Sequence, residues 1–61
     1  MEYSEKIKEY RKTVLLTQVE LAKKLGVSYV SVNRWEQGIF EPTMKVKRKL
    51  KKLFDEAGMR D

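Results

Sequence analysis

Apolar residues recur along this chain at helical rather than strand spacing. Tyr3, Ile7, Tyr10 and Val14 stand at i, i+4, i+7 and i+11, with Lys6, Lys8, Glu9 and Lys12 on the other faces. That pattern predicts an amphipathic helix over about residues 4–13. Ser4 serves as its N-cap, and Thr13 with the β-branched Val14 marks its end. Thr17-Gln18-Val19-Glu20 then reads as a capping box, in which hydroxyl and carboxylate each satisfy an otherwise orphaned amide. Leu16 and Leu21 occupy the flanking staple positions. The second helix covers about 17–25, with Leu21, Ala22 and Leu25 as its apolar stripe and Gly26 as its stop.

Only Gly26 and Val27 separate that stop from the next cap, Ser28, and Val27 with Val32 repeats the staple spacing. A third helix over about 28–37 gathers Val32, Trp35 and Glu36 on one face. Tyr29, Val30, Asn33, Arg34 and Gln37 fall on the opposite one, and Gly38 ends the helix. Two helices joined across so short a glycine turn must cross steeply, as in a helix-turn-helix. Ile39-Phe40-Glu41-Pro42 is a loop, because proline disfavours helical geometry in the residue before it. Thr43 caps a fourth helix over about 43–57, whose stripe is Val46, Leu50, Leu53, Phe54 and Ala57. Gly58 ends it, and Met59-Arg60-Asp61 are expected to fray. The prediction is an all-α single domain over 1–61, built of four helices or at most five.

Composition narrows what such a domain can do. The chain has 61 residues, no cysteine and no histidine. No disulfide or thiolate metal site can staple it, and the commonest proton shuttle and transition-metal ligand are missing. A domain so small has little room for a water-excluding pocket of ordinary ligand size. No enzyme, cofactor, metal or small-molecule substrate is therefore expected. The longest apolar run, Val14-Leu15-Leu16, is far too short to span a bilayer, so a cytoplasmic protein is the expectation.

Fourteen basic against nine acidic residues leave +5 and a pI near 9.6, which points to an anionic partner without naming it. Residues 1–41 sum to +1 and residues 42–61 to +4. Most of the excess thus lies in the run Lys45-Val46-Lys47-Arg48-Lys49-Leu50-Lys51-Lys52, where apolar residues at helical spacing also fit an amphipathic helix with a basic solvent side.

The outward face of the third helix carries the chemistry of base reading. Arg34 can bridge guanine O6 and N7, Asn33 or Gln37 can pair with an adenine edge, and Val30 can pack on a thymine methyl. Tyr29 can use its hydroxyl or its ring. The same side chains also fit a plain solvated face. Gln18 opens the second helix, where an amide and a helix N-terminus can meet the same phosphate.

From Ile7 to about Leu53 the chain resembles the phage-repressor and Cro-like helix-turn-helix family, often called XRE. The matching residues are Ile7-Lys8-Glu9-Tyr10-Arg11, Leu16-Thr17-Gln18-Val19-Glu20-Leu21-Ala22 and Leu25-Gly26-Val27-Ser28. They continue with Val32-Asn33-Arg34-Trp35-Glu36-Gln37-Gly38 and Pro42. The resemblance implies a lambda-repressor-like domain that regulates transcription in a prokaryote or phage, with its third helix in the major groove of double-stranded DNA. It gives base-reading positions to the residues after the Ser28 cap, Tyr29 and Val30, and to Arg34, a phosphate contact to Gln18, and a place beside the DNA backbone to Thr43, Lys45 and Lys47. The chemistry of the residues themselves adds Asn33 to the expected base contacts and Ser28, Ser31 and Gln37 to the expected backbone contacts.

Arg11 and Glu36 match a pair that bridges the first and third helices in the family, and Trp35 is assigned to packing. Glu41 departs from the small or basic residue often found in that loop. Binding by two copies on a two-fold symmetric site is expected, but the chain departs from complete family repressors, which commonly carry additional dimerising sequence. The expectation is a monomer in solution that dimerises weakly on DNA, for which only Ile39, Phe40, Met44 or the far end of the fourth helix is available. Two alternatives stay open on sequence grounds. One is a protein-interaction module using Tyr29, Val30, Ile39 and Phe40; the other is an anionic-lipid binder using residues 45–56.

Overall fold

A computed structural model of the chain describes residues 2–59. Four α-helices follow one another: α1 Tyr3–Val14, α2 Gln18–Leu25, α3 Tyr29–Gln37 and α4 Met44–Glu56. The predicted stripes converge. Ile7 and Tyr10 from α1, Leu21, Ala22 and Leu25 from α2, Val32 and Trp35 from α3, and Val46, Leu50 and Phe54 from α4 form one buried core. Helix α3 packs against both α1 and α2, and α4 closes on α2. Ile7, Leu21, Leu25, Val32 and Leu50 are fully buried, each contributing about 1.5–3 kcal/mol of transfer free energy.

The capping box forms as read. Glu20 N–H donates to Thr17 Oγ1 at 3.1 Å and Thr17 N–H donates to Glu20 Oε1 at 2.8 Å. The bond from the Thr17 amide holds the Glu20 carboxyl below its ordinary range. Ser28 caps α3 through a longer bond, 3.4 Å from the Ser31 amide.

Several end details differ from the sequence reading. Ser4 lies inside α1, because the helix begins a residue earlier, with Glu2 at the N-cap position and no side-chain bond there. Val14 is exposed, since the helix stops before anything packs over its last turn. Thr43 holds the N-cap position of α4 by its backbone alone. Its carbonyl accepts from Lys47 N–H at 2.8 Å, while its hydroxyl makes no cap bond. Met59 does not fray: it folds back on the core, its N–H on the Phe54 carbonyl at 2.9 Å. Arg60 and Asp61 lie outside the described residues.

Helices α1, α2 and α3 close with the same reversal, a left-handed residue followed by one whose N–H donates back to the last turn, and α4 does so one residue later, after Ala57. Gly26, Gly38 and Gly58 supply the left-handed residue for α2, α3 and α4. For α1 that residue is Leu15, at φ 60° and almost wholly in solvent.

Candidate nucleic-acid interface

Tyr29, Val30, Asn33, Arg34 and Gln37 form a continuous strip along α3, opposite the buried Val32, Trp35 and Glu36. Tyr29 and Val30 are about half exposed, while Arg34 and Gln37 are open to solvent. Packing of α3 on α2 sets Gln18, the first residue of α2, beside Asn33. A chain of side-chain hydrogen bonds then ties this surface to the interior.

At the inner end, Arg11 grips Glu36 with two bonds, Nε to Oε2 at 2.5 Å and Nη2 to Oε1 at 2.8 Å. Arg11 Nη1 also donates to the Leu16 carbonyl at 3.2 Å. Glu36 is 5% exposed and Arg11 24%, so the carboxylate depends on protein donors far more than the guanidinium depends on its acceptor. Burial pushes the Glu36 carboxyl up, but bonds from Arg11 and Gln18, with the charges of Arg11 and Lys8, more than offset it and leave a net lowering. The bond to Glu36 raises the Arg11 value further. The pair expected between α1 and α3 is present.

From Glu36 the chain runs outward. Gln18 Nε2 donates to Glu36 Oε1 at 3.2 Å, Asn33 Nδ2 donates to Gln18 Oε1 at 3.3 Å, and Gln37 Nε2 donates to Asn33 Oδ1. Each link orients the next. Glu36 can only accept, so it fixes which end of the Gln18 amide points inward, and Gln18 in turn fixes Asn33. Each bonded –NH2 keeps one proton, and the Asn33 carbonyl oxygen keeps one lone pair. Gln18 can still donate outward to a phosphate, and Asn33 can still offer a donor and an acceptor to an adenine edge.

Arg34 points to the loop after α3, its guanidinium carbon 5.6 Å from the centre of the Phe40 ring. Ser28 and Ser31 sit together at the start of α3, their hydroxyls 3.4 Å apart. Thr43 and Lys45 are exposed at the start of α4. Lys47 is engaged elsewhere: its Nζ lies 2.8 Å from Glu41 Oε1 and 5.0 Å from the centre of the Tyr3 ring. The contact with Glu41 raises the Lys47 value and lowers that of Glu41.

Of this network only the Arg11–Glu36 pair was expected; contacts not read from sequence include Gln18 on Glu36, Asn33 on Gln18, Gln37 on Asn33, Phe40 on Arg34 and Glu41 on Lys47. Lys49 is another, its Nζ donating to the Leu25 carbonyl at the end of α2 at 3.2 Å. The cation at that helix C-terminus complements the dipole there. No helix among the described residues is long and apolar enough to cross a membrane.

Residues 7–57 match the helix-turn-helix family. An uncharacterized HTH-type transcriptional regulator of Methanocaldococcus jannaschii is 45% identical over 49 residues, covering 80% of this chain and 74% of that protein. The HTH-type transcriptional regulator DicA of Escherichia coli is 51% identical over 41 residues, 67% of this chain but 30% of its own length. The HTH-type transcriptional activator BcrR of Enterococcus faecalis is 37% identical over 54 residues, 88% of this chain and 26% of its own. This chain thus spans less than a third of the last two proteins. No solved structure matches. The match runs from within α1 through α2, α3 and α4, and the chain belongs to the helix-turn-helix family.

Proposed function

We propose that this domain binds double-stranded DNA sequence-specifically and without catalysis, as a transcriptional regulator or as the reading module of a larger one. The observation that carries this is the hydrogen-bonded chain from the buried Arg11–Glu36 pair through Gln18 to Asn33 and Gln37. It holds polar groups rigid on an exposed helix face, as base reading requires. The relatives named as transcriptional regulators favour this reading over a protein-interaction module.

In this reading Tyr29, Val30, Asn33 and Arg34 meet base edges. Gln18, Ser28, Ser31, Gln37, Thr43, Lys45 and Lys47 meet the sugar–phosphate backbone. Two copies occupy a two-fold symmetric site and touch weakly through Ile39, Phe40 and Met44, each more than half exposed. Such a protein works in the cytoplasm of a prokaryotic cell, where the DNA is.

Selection from a random duplex library tests the proposal, followed by affinities at fixed salt. Arg34→Ala is expected to cost about 1–3 kcal/mol and to relax preference at one base pair. Lys45→Ala is expected to weaken all duplexes alike and to flatten the salt dependence by about one charge. If no motif is selected and Arg34→Ala leaves affinity unchanged, the domain does not read bases.

A further inference from the structure

Lys47 is a proposed phosphate ligand whose ammonium already has an anion on it. The Glu41 carboxylate is 2.8 Å away, from a loop whose next residue, Pro42, is buried and holds that stretch of backbone in place. The two ends of the pair differ in exposure, 26% for Lys47 and 75% for Glu41. Lys47 of α4 lies over the Tyr3 ring of α1, while the Glu41 carboxylate is the more exposed end of the pair. We propose that Glu41 sets the sequence-independent part of duplex affinity by occupying the Lys47 ammonium. The proposal rests on the DNA-binding reading above.

The physics leaves two routes, with one sign. If the phosphate displaces Glu41, binding must first break the ion pair. If Glu41 stays, its carboxylate sits beside a second anion and repels it. Either way the carboxylate weakens binding, and neither route depends on which bases lie in the groove, because phosphate contacts carry no direct sequence information. Lys45, two residues earlier, is exposed and has no ion pair among the described residues. It therefore contributes its full attraction, whereas Lys47 contributes only what Glu41 leaves.

The test is a double-mutant cycle in the intact chain: wild type, Glu41→Gln, Lys47→Gln and both together. Glu9→Gln, on the exposed face of α1, serves as a charge-matched control. Affinity is read by fluorescence anisotropy for a selected duplex and for a scrambled one across a salt series. Glu41→Gln is expected to tighten both duplexes by the same factor, about two- to fivefold, the range of an exposed ion pair. Their affinity ratio should stay constant, and the salt dependence should steepen by up to ~0.9 in log–log slope, one further phosphate neutralised.

In the Lys47→Gln background the gain should vanish. A gain that persists there, that Glu9→Gln reproduces, or that is confined to the selected duplex overturns the proposal, as does no gain at all. Wild-type protein that binds neither duplex removes the DNA-binding reading itself. Wild type that binds while Glu41→Gln is inert removes only the role of Glu41.

Discussion

Arg11→Met is the substitution that tests the interior of the site most sharply. It keeps an unbranched chain over the same surface and deletes both charge-assisted bonds to Glu36, together with the bond to the Leu16 carbonyl. The carboxylate, 5% exposed, then keeps one side-chain donor, Gln18 at 3.2 Å. Stranding one charge of a buried pair costs about 3–5 kcal/mol, and because Arg11 is itself a quarter exposed the loss here should be about 2–4 kcal/mol. A domain of this length has roughly 3–9 kcal/mol in all, so the variant should sit near the edge of folding. Glu36→Gln should cost less, since a partly exposed guanidinium can stay hydrated and an amide oxygen can still accept from it.

The pH dependence supplies the decisive sign. In the native protein the folded-state value of Glu36 lies below the ordinary one. Its stabilisation is therefore complete above the ordinary glutamate range, near ~4.3, and is lost as pH falls through the lowered folded value. In Arg11→Met the burial remains and the main opposing group is gone, so the folded value moves upward and the folded state prefers the neutral acid. The deficit of the variant should consequently be largest at neutral pH and already shrink as pH falls toward ~4.3, through the variant's raised folded value. Urea unfolding followed by circular dichroism reads this directly. With a denaturant slope near ~1 kcal/mol per molar, the midpoint should fall by about 2–4 M at neutral pH. A deficit under about 1 kcal/mol, or one that stays constant down to pH ~4, refutes the reasoning.

Leu15→Gly should stabilise the chain. The residue sits at φ 60° and is 86% exposed, so glycine relieves a left-handed penalty of about 1–2 kcal/mol at almost no loss of packing. Its greater freedom in the unfolded chain takes back part of that, leaving a gain of about 0.5–1 kcal/mol and a Tm a few degrees higher. An unchanged or lower Tm means that Leu15 makes a contact not apparent from its exposure. Phe40→Leu removes the ring beside the Arg34 guanidinium, an interaction of about 0.5–1 kcal/mol at exposed sites. Discrimination at the base pair that Arg34 is proposed to read should fall about two- to fivefold with little change in Tm, and equal discrimination by both proteins counts against the pairing.

The core was legible in the chain because burial repeats with the helix. Each of the ten buried apolar side chains lies on a stripe read from spacing or at a staple position beside a cap. Val14 belongs to the same stripe as Ile7 and Tyr10 and is nevertheless exposed, because spacing says nothing about where the neighbouring helix ends. The same limit hid the contacts between elements. Asn33 meets Gln18, and Lys49 reaches the Leu25 carbonyl, only once the crossing angles are set, and no rule of spacing along one helix yields them. The Arg11–Glu36 pair, 25 positions apart, was accessible through family resemblance and not through the residues themselves.

The charge distribution changes most when sequence becomes structure. By formal count residues 42–61 hold nearly all of the excess positive charge. Within α4, however, Lys47 is paired with Glu41, Lys51 lies 3.7 Å from Asp55, and Lys49 is turned onto the end of α2. Lys45, Arg48 and Lys52 remain exposed without an ion pair among the described residues. Half of the helix's cations are thus partly spent within the protein, and a phosphate backbone meets a weaker field than six basic residues imply. Long-range attraction is then modest at physiological salt, where exposed charges are screened within about 8 Å. In the proposed DNA-binding role, more of the selectivity then falls to the near-neutral face of α3. The hydrogen bonds from Arg11 to Gln37 hold that face in place before any duplex arrives, so its polar groups need not be ordered at the expense of binding energy.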